Sequence, residues 1–239
     1  MSRDEIIVHD GVSIKITQTD NPDRVIVSFT DDITAYYKTK KAVITDKGIY
    51  CNGVSSMIFR ELMRCGIPVH FIRQLSDREQ LCHRVDVIPM EVIVRNVVAG
   101  SMAQRLGLKE GLVPPYPIYE LCYKSEVLGD PLINDNHALA LGLVSKEELD
   151  HIYVLTRRIN AVLVPVFKSV GITLVDFKIE FGHLIDGTLV MCDDITPDSA
   201  RFWDIETGRR LDKDRFRHDS GKVGEGYKTV YDRLRTIIK

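Results

Sequence analysis

Apolar and polar residues alternate near the start of the chain. Val12, Ile14 and Ile16 alternate with polar residues, and residues 24–30 (RVIVSFT) alternate again after the segment at 20–23 (DNPD). A period of two is typical of strands with one buried face, and Asp, Asn and Pro are turn formers. The pattern therefore predicts an antiparallel hairpin.

Three longer stretches follow the 3.6-residue period of amphipathic helices. Asn52 is the predicted N-cap of the first, and Ser145 opens a capping box at the start of the second. The third ends the chain and is most simply a packing element. The predicted helices cover residues 52–66, 145–171 and 223–238.

Three further segments contain residues that are favoured at the N-terminus of a helix. Residues 76–79 (SDRE) have capping-box spacing, and Ser101 follows a glycine ahead of a helical stretch. At 196–197 a threonine N-cap precedes a proline at the first helical position. Arg201 lies one turn into that helix, where an ion pair with Asp198 is the simplest role for it.

The segment at 172–181 (ITLVDFKIEF) is the most informative part of the chain. Period two places Asp176, Lys178 and Glu180 on one face of a strand and large apolar residues on the other. Three charges therefore line one side of an otherwise apolar strand.

A hairpin is predicted to follow this strand. Residues 186–187 (Asp-Gly) are a strong two-residue turn signal, and that turn places Glu180 opposite Asp193 on the returning strand. Directly opposed carboxylates repel each other unless a proton or a cation lies between them. Mg²⁺ held by two carboxylates and nucleotide phosphates satisfies this arrangement. A solvated strand face with interleaved salt bridges remains an equal alternative on the pattern alone.

Arg95 interrupts the apolar run at 89–101 (PMEVIVRNVVAGS). A lone arginine there suits an anionic partner, and the backbone N–H groups after Ser101 suit a phosphate or carboxylate. The alternative is that Arg95 extends its guanidinium to solvent and Ser101 only caps a helix.

The length and composition of the chain argue against several classes of protein. The chain has 239 residues, which suits one large domain or two small ones, and a formal charge of −2 with no basic block argues against binding nucleic acid. Five widely spaced cysteines indicate reduced thiols rather than disulfides or a zinc site. No apolar stretch is long enough for a membrane span, and no targeting signal is evident, so we expect a cytoplasmic protein.

Several of these segments together resemble the SAICAR synthetase (phosphoribosylaminoimidazole-succinocarboxamide synthase) family. The similarity lies in PMEVIVRNVVAGS, LVDFKIEFG, DDITPDSARFWD and LDKDRFR, in the same order along most of the chain. The resemblance implies an α+β fold with a strand-rich N-terminal lobe (1–86) and a larger α/β lobe (87–239). A nucleotide cleft like those of ATP-grasp and kinase-like enzymes would lie between them.

The family joins a carboxyaminoimidazole ribonucleotide to L-aspartate with ATP and Mg²⁺ in purine biosynthesis, through an acyl phosphate. The resemblance also implies a homo-oligomer, with a dimer favoured. Phosphoryl transfer to a carboxylate concentrates negative charge, so cationic side chains and a metal suit this chemistry. Asp176 would orient Lys178 or the incoming amine, or be a structural ion-pair partner.

The implied roles are assigned by motif. The catalytic residues would be Lys178, Asp176 and Arg201. Magnesium ligands would be Glu180 and Asp193. Nucleotide-binding residues would be Gly11, Lys15, Lys124, Glu180 and Asp193, and substrate-binding residues would be Arg95, Ser101, Asp130 and Arg201.

The N-terminal segment departs from the family pattern. The lysines of the usual YEGKAK stretch are replaced, leaving Gly11 flanked by Val12 and Ile14, and Tyr37-Lys38 stand where the family has Asn or Asp followed by Gly. Lys15, Lys38 or Lys40 would then compensate. Two alternatives therefore stay open beside the ligase: a paralogous carboxylate–amine ligase with another substrate, and an inactive nucleotide- or ribonucleotide-binding homologue.

Overall fold

The computed structural model describes residues 7–35 and 39–238, so Tyr37 and Lys38 lie outside the described residues. The first part of the chain forms an antiparallel sheet in the order β1-β2-β3-β7-β6. Its strands are β1 (Ile7–Asp10), β2 (Ile14–Gln18), β3 (Arg24–Phe29), β6 (Phe71–Gln74) and β7 (Glu79–His83). The predicted hairpin is confirmed, because β2 pairs antiparallel with β3. Strands β4 (Asp32–Ala35) and β5 (Lys40–Val43) form a separate hairpin.

A second antiparallel sheet follows in the order β10-β9-β8-β11-β12, and β13 also pairs with β11. Its long central strands β8 and β11 carry four of the predicted site residues, Arg95, Asp176, Lys178 and Glu180. The strands are β8 (Asp86–Arg95), β9 (Ile118–Tyr123), β10 (Leu132–Ile133), β11 (Ile172–His183), β12 (Leu189–Cys192) and β13 (Ala200–Asp204).

Helices pack around and between the sheets, and one continuous apolar core joins both halves of the chain. The helices are α1 (Lys47–Arg64), α2 (Gly100–Leu106), α3 (Asp135–Ala140), α4 (Lys146–Ser169), α5 (Asp214–Arg217) and α6 (Val223–Leu234). The helices predicted at 145–171 and 223–238 correspond to α4 and α6. The N-cap half of the predicted capping box of α4 is confirmed, because the Ser145 hydroxyl accepts the Glu148 N–H, whereas the Glu148 carboxylate contacts His183.

The predicted N-cap of α1 is wrong. The helix begins five residues before Asn52, which is buried inside it. A distant carboxylate performs the capping, because Asp31 accepts the backbone N–H of Gly48 at 2.9 Å and is itself held by Arg78. Sequence spacing cannot reveal a cap that comes from another element.

The short helices predicted at 76–79 and 196 do not form. Ser76 and Glu79 close a tight turn instead, because the backbone N–H groups of residues 75 and 76 both donate to the Glu79 carbonyl. After Thr196 the chain makes one hydrogen-bonded turn and enters β13, whose pairing with β11 outweighs helix formation. Ser101 is not an N-cap either, because Ala99 precedes the first helical residue of α2.

The predicted register of the second hairpin is wrong by one residue. Gly187 has a φ of +82° and its N–H donates to the Leu184 carbonyl, so the loop has three residues with glycine in the left-handed position. Glu180 therefore lies opposite Cys192, and Asp193 follows the end of β12.

The mixture of helices and antiparallel sheets confirms the α+β fold class. The change from one sheet to the other falls between His83 and Asp86, close to the predicted lobe boundary at 86–87, which itself stays a prediction. Within the described residues, every helix is too short or too polar to cross a membrane.

Candidate functional site

A cavity of about 550 Å³ lies between the two sheets. Apolar side chains that alternate along β2 and β3 form one wall, and the opposite side is charged. The apolar wall suits a flat ring, and the charged side suits phosphates. The lining includes Ile14, Ile16, Val25, Val27 and Phe29 on the first side, and Glu91, Lys124, Asp130, Lys178, Glu180, Asp193 and Asp194 on the second.

Lys178 is the centre of the charged side. Its Nζ lies 2.7 Å from Asp193 Oδ2, 2.9 Å from Glu91 Oε1 and 3.2 Å from Glu180 Oε1. Burial alone would lower the pKa of Lys178, but the three carboxylates raise it well above its usual value. The lysine is therefore a fixed positive charge. Glu180 and Asp193 are not directly opposite each other in the hairpin, but both contact this ammonium group.

Lys124 and Asp130 extend this group toward β9 and the loop after it. Lys124 Nζ lies 2.5 Å from Glu180 Oε2, so Glu180 contacts two lysines. Asp130 has a φ of +47° and its carboxylate accepts the Ser125 N–H at 2.8 Å, which fixes the loop at the cavity edge. Both residues line the cavity.

Asp176 joins two arginines in a second cluster. Its Oδ2 accepts hydrogen bonds from Arg201 at 2.8 Å and from Arg95 at 3.1 Å. Arg201 also pairs with Asp214 at 2.7 Å, so the predicted pair between Arg201 and Asp198 is wrong. Arg95 pairs with Glu120 at 2.6 Å. Chains of alternating charge hold both guanidinium groups rigidly.

The start of α2 adjoins this arginine cluster. Arg95 Nη2 lies 3.4 Å from the Ser101 hydroxyl. A Cβ at Gly100, where φ is +55°, would lie 2.3 Å from Arg201 Nη2, so only glycine lets the guanidinium approach the backbone so closely. Two arginines, a hydroxyl and a helix start thus converge where an anion can bind.

The two clusters are neighbours along β11. Strand alternation places Asp176, Lys178 and Glu180 on one face, so the arginine cluster continues the charged side of the cavity without lining it. A ligand that carries an anionic group at each end suits this layout. The predicted site residues of the second sheet and its loops are brought together in these two clusters.

The N-terminal candidates are placed differently. Lys15 is exposed and alternates with Ile14 and Ile16, so it lies on the sheet face away from the cavity. Gly11 lies in the turn before β2, where a Cβ would be 2.6 Å from His9 Nε2. Lys40 pairs with Asp219, outside the cavity lining.

Four site residues were not among the sequence candidates. Glu91 contacts Lys178, and Asp214 holds Arg201. Asp194 lines the cavity, where burial and the neighbouring charge of Asp193 raise its pKa. These three residues lie within segments that resemble the family, and this position was the one weak indication in the sequence that they belong to the site. His70 lines the apolar part and no motif marks it.

His70 makes the stability of the protein depend on pH. Burial lowers its pKa to about 4, whereas an unfolded histidine has a pKa of about 6.5. Between these values the unfolded chain binds a proton that the folded chain does not, so the contribution of His70 to stability falls as pH drops through this window. His70→Phe removes this contribution, so we expect the unfolding free energy at pH 5, relative to that at pH 7.5, to be about 2 kcal/mol more favourable to the folded state in the variant than in wild type.

Urea titrations at the two pH values measure this effect. His151→Phe, which removes an exposed histidine from α4, is the matched control and leaves the pH dependence unchanged. An equal pH dependence in wild type and His70→Phe would contradict a neutral, buried His70.

The sequence of this chain is similar to the sequences of known proteins. The family profile of SAICAR synthetase matches residues 8–234. A phosphoribosylaminoimidazole-succinocarboxamide synthase of Clostridium beijerinckii is 51% identical over 228 residues, which cover 95% of this chain and 97% of the relative.

Solved structures give the same result. The phosphoribosylaminoimidazole-succinocarboxamide synthase of Ehrlichia chaffeensis superposes with a TM-score of 0.94 at 41% identity, covering 98% of this chain and 100% of that chain. A SAICAR synthetase in complex with ADP superposes with a TM-score of 0.93 at 42% identity, covering 98% of this chain and 99% of that chain. The chain therefore belongs to the SAICAR synthetase family.

Proposed function

We propose that this chain is an ATP-dependent amide ligase of purine biosynthesis that joins carboxyaminoimidazole ribonucleotide to L-aspartate, giving SAICAR, ADP and phosphate. Family membership supports the activity, and the relative solved with ADP supports a nucleotide in the cavity. The observation that carries the proposal is the charged face of β11, where Lys178 and its carboxylates adjoin the Asp176–Arg201 cluster.

The nucleotide part of the site follows from the cavity lining. The base would lie against the apolar side chains of β2 and β3, and Lys124 and Lys178 would contact phosphates. Because Lys15 lies on the other face, we assign it no phosphate contact. Gly11 would let the backbone of the preceding turn approach the nucleotide.

Glu180 and Asp193 are the residues that would hold Mg²⁺. Both are carboxylates that line the cavity, and both already contact one cation, the Lys178 ammonium. Oxygen ligands from two carboxylates and phosphates suit magnesium, which needs no larger protein cage. When bound, the ion would neutralise charge on the transferring phosphoryl group.

The ribonucleotide would occupy the arginine cluster. Arg95, Arg201 and Ser101 would bind its phosphate or carboxylate, and Asp130 would contact it from the loop at the cavity edge. We propose that Asp176 is a positioning residue, because its carboxylate fixes both guanidinium groups at once.

The reaction would proceed in two steps. The substrate carboxylate attacks the γ-phosphorus of ATP, the bond to the β-phosphate oxygen breaks, and ADP leaves. The aspartate amine then attacks the acyl carbon, phosphate leaves with the former carboxylate oxygen, and the amine loses a proton. Lys178 and Arg201 would stabilise the negative charge that accumulates in both steps.

Other properties are proposed on the resemblance alone. The lobes would be residues 1–86 and 87–239, with the nucleotide between them. The protein would be cytoplasmic and would form a dimer. The paralogous ligase and the inactive homologue gain no support from the relatives, since those named above carry the names of this one enzyme.

A coupled assay of ADP release tests the proposal. We expect release only when ribonucleotide, L-aspartate and Mg·ATP are all present, with omission of any one lowering the rate to background. Glutamate, one methylene longer than aspartate, is the matched control for the amine substrate. A folded protein that releases no ADP with the complete set, or releases it equally with glutamate, would refute the assignment.

A further inference from the structure

A second cavity of about 190 Å³ lies between the end of β13, the loop that follows it, and α6. None of its lining residues lines the larger cavity. The residues that matter for its chemistry are Arg209 and Arg215, with Glu206 at the edge. Nothing in the proposed ligase reaction uses these residues.

Arg215 is a buried cation with an unusual set of partners. It is 6% exposed, yet within residues 7–35 and 39–238 it has no carboxylate within ion-pair distance. Its Nε donates to the Gly221 carbonyl at 2.9 Å and its Nη1 to the Arg210 carbonyl at 3.2 Å. Gly226 of α6 makes room for it, since a Cβ there would lie 3.1 Å from Arg215 Cδ. Buried charges normally have a counter-ion.

The other charges of the cavity largely cancel one another. Asp204 pairs with Arg233 at 2.6 Å, and Glu225 pairs with Lys222 at 3.1 Å. Arg209 and Arg215 remain against Glu206, which is exposed. Glu225 and Asp212 also act on Arg215, from beyond ion-pair distance. After burial itself, the charge of Arg209 is the largest cause of the lowered pKa of Arg215. Two like charges that share a cavity favour an anion between them.

We propose that this cavity binds a small oxyanion, a phosphate group or a carboxylate, through Arg209 and Arg215. A guanidinium donates two parallel N–H groups that match either anion, and Arg215 is held in place by two carbonyls before the anion arrives. The cavity has room for such a group but is smaller than those that hold a whole nucleotide. The site is independent of the ligase assignment.

Arginine side-chain NMR on the full-length protein tests the proposal. The Cζ signal of the Arg215 guanidinium, which reports on all of its N–H groups, is followed while inorganic phosphate or succinate is added at constant ionic strength, because Nε–H already donates to the Gly221 carbonyl. We expect a saturable shift with at least one anion; phosphate alone identifies a phosphate site and succinate alone a carboxylate site. Arg209→Met should weaken the apparent affinity about tenfold, because one charge-assisted contact is lost.

Arg157→Met removes one exposed positive charge from α4 and should leave the affinity unchanged. Arg209 is itself exposed, so replacing it should not disturb the folding of the buried side chains around Arg215. The proposal is overturned if neither anion shifts the Arg215 signal up to about 50 mM, which exceeds the range of a millimolar site. It is equally overturned if Arg209→Met binds as wild type does.

Discussion

Glu180→Gln is expected to lower kcat/KM for Mg·ATP about 10²–10³-fold while the protein remains folded. The substitution keeps the size of the side chain but removes a negative charge that contacts both Lys124 and Lys178. Lys178 keeps Asp193 and Glu91 as partners, so its ammonium group is still neutralised. The loss should therefore fall on the proposed binding of metal and phosphate rather than on folding.

Initial rates of ADP release over a range of Mg²⁺ concentrations measure this effect. We expect the concentration of Mg²⁺ needed for half-maximal rate to rise in Glu180→Gln. Glu147→Gln, on the exposed surface of α4, is the matched control and should behave as wild type. A kcat/KM within about threefold of wild type at every Mg²⁺ concentration would show that other residues hold the metal.

The elements that could be predicted from the sequence are those fixed by local patterns. The β2–β3 hairpin, α4 and β11 each show a clear hydrophobic period, and α4 carries its own cap at Ser145. Alternation along β11 also predicted correctly that Asp176, Lys178 and Glu180 share a face. These features depend on neighbours within a few residues.

Features that depend on distant partners could not be predicted in the same way. Asp31 caps α1 from another part of the chain. Arg201 pairs with Asp214 and not with Asp198, which is nearer in sequence. The three-residue loop at Gly187 shifted the hairpin register, yet Asp193 still reaches Lys178 because its backbone leaves the strand with a φ of +71°. Tertiary contacts decide the first two outcomes, and the length of the turn decides the register.

Asp198→Ala is expected to destabilise the protein by about 3–5 kcal/mol, because it leaves a buried ammonium without a partner. Lys47 is 0% exposed, and its Nζ lies 2.7 Å from Asp198 Oδ2. Asp198 Oδ1 also accepts the Tyr227 hydroxyl at 2.7 Å. Burial alone would raise the pKa of Asp198, but Lys47 and then Lys213 lower it, so the carboxylate is charged at neutral pH.

Thermal unfolding at pH 7 measures the loss, and for a chain of this size we expect the Tm to fall by about 10 °C. Asp198→Asn keeps hydrogen-bonding atoms near both partners and should lose less. The double variant Lys47→Met/Asp198→Leu removes both charges and should recover part of the stability, because the buried Tyr227 hydroxyl still loses its acceptor. A loss below about 1 kcal/mol in Asp198→Ala would mean that the Lys47 ammonium reaches water.

This ion pair also explains why a lysine begins α1. A positive charge at a helix N-terminus is unfavourable, and burial makes it more so. Lys47 is at this position in spite of both effects, because its ion pair with Asp198 compensates for them. The pair ties α1 to the loop that follows Asp193 and, through Tyr227, to α6. Because Asp198 lies five residues after Asp193, the contact that stabilises the fold also holds the loop bearing the proposed metal ligand. We therefore expect Asp198→Asn to raise the Mg²⁺ requirement of ADP release.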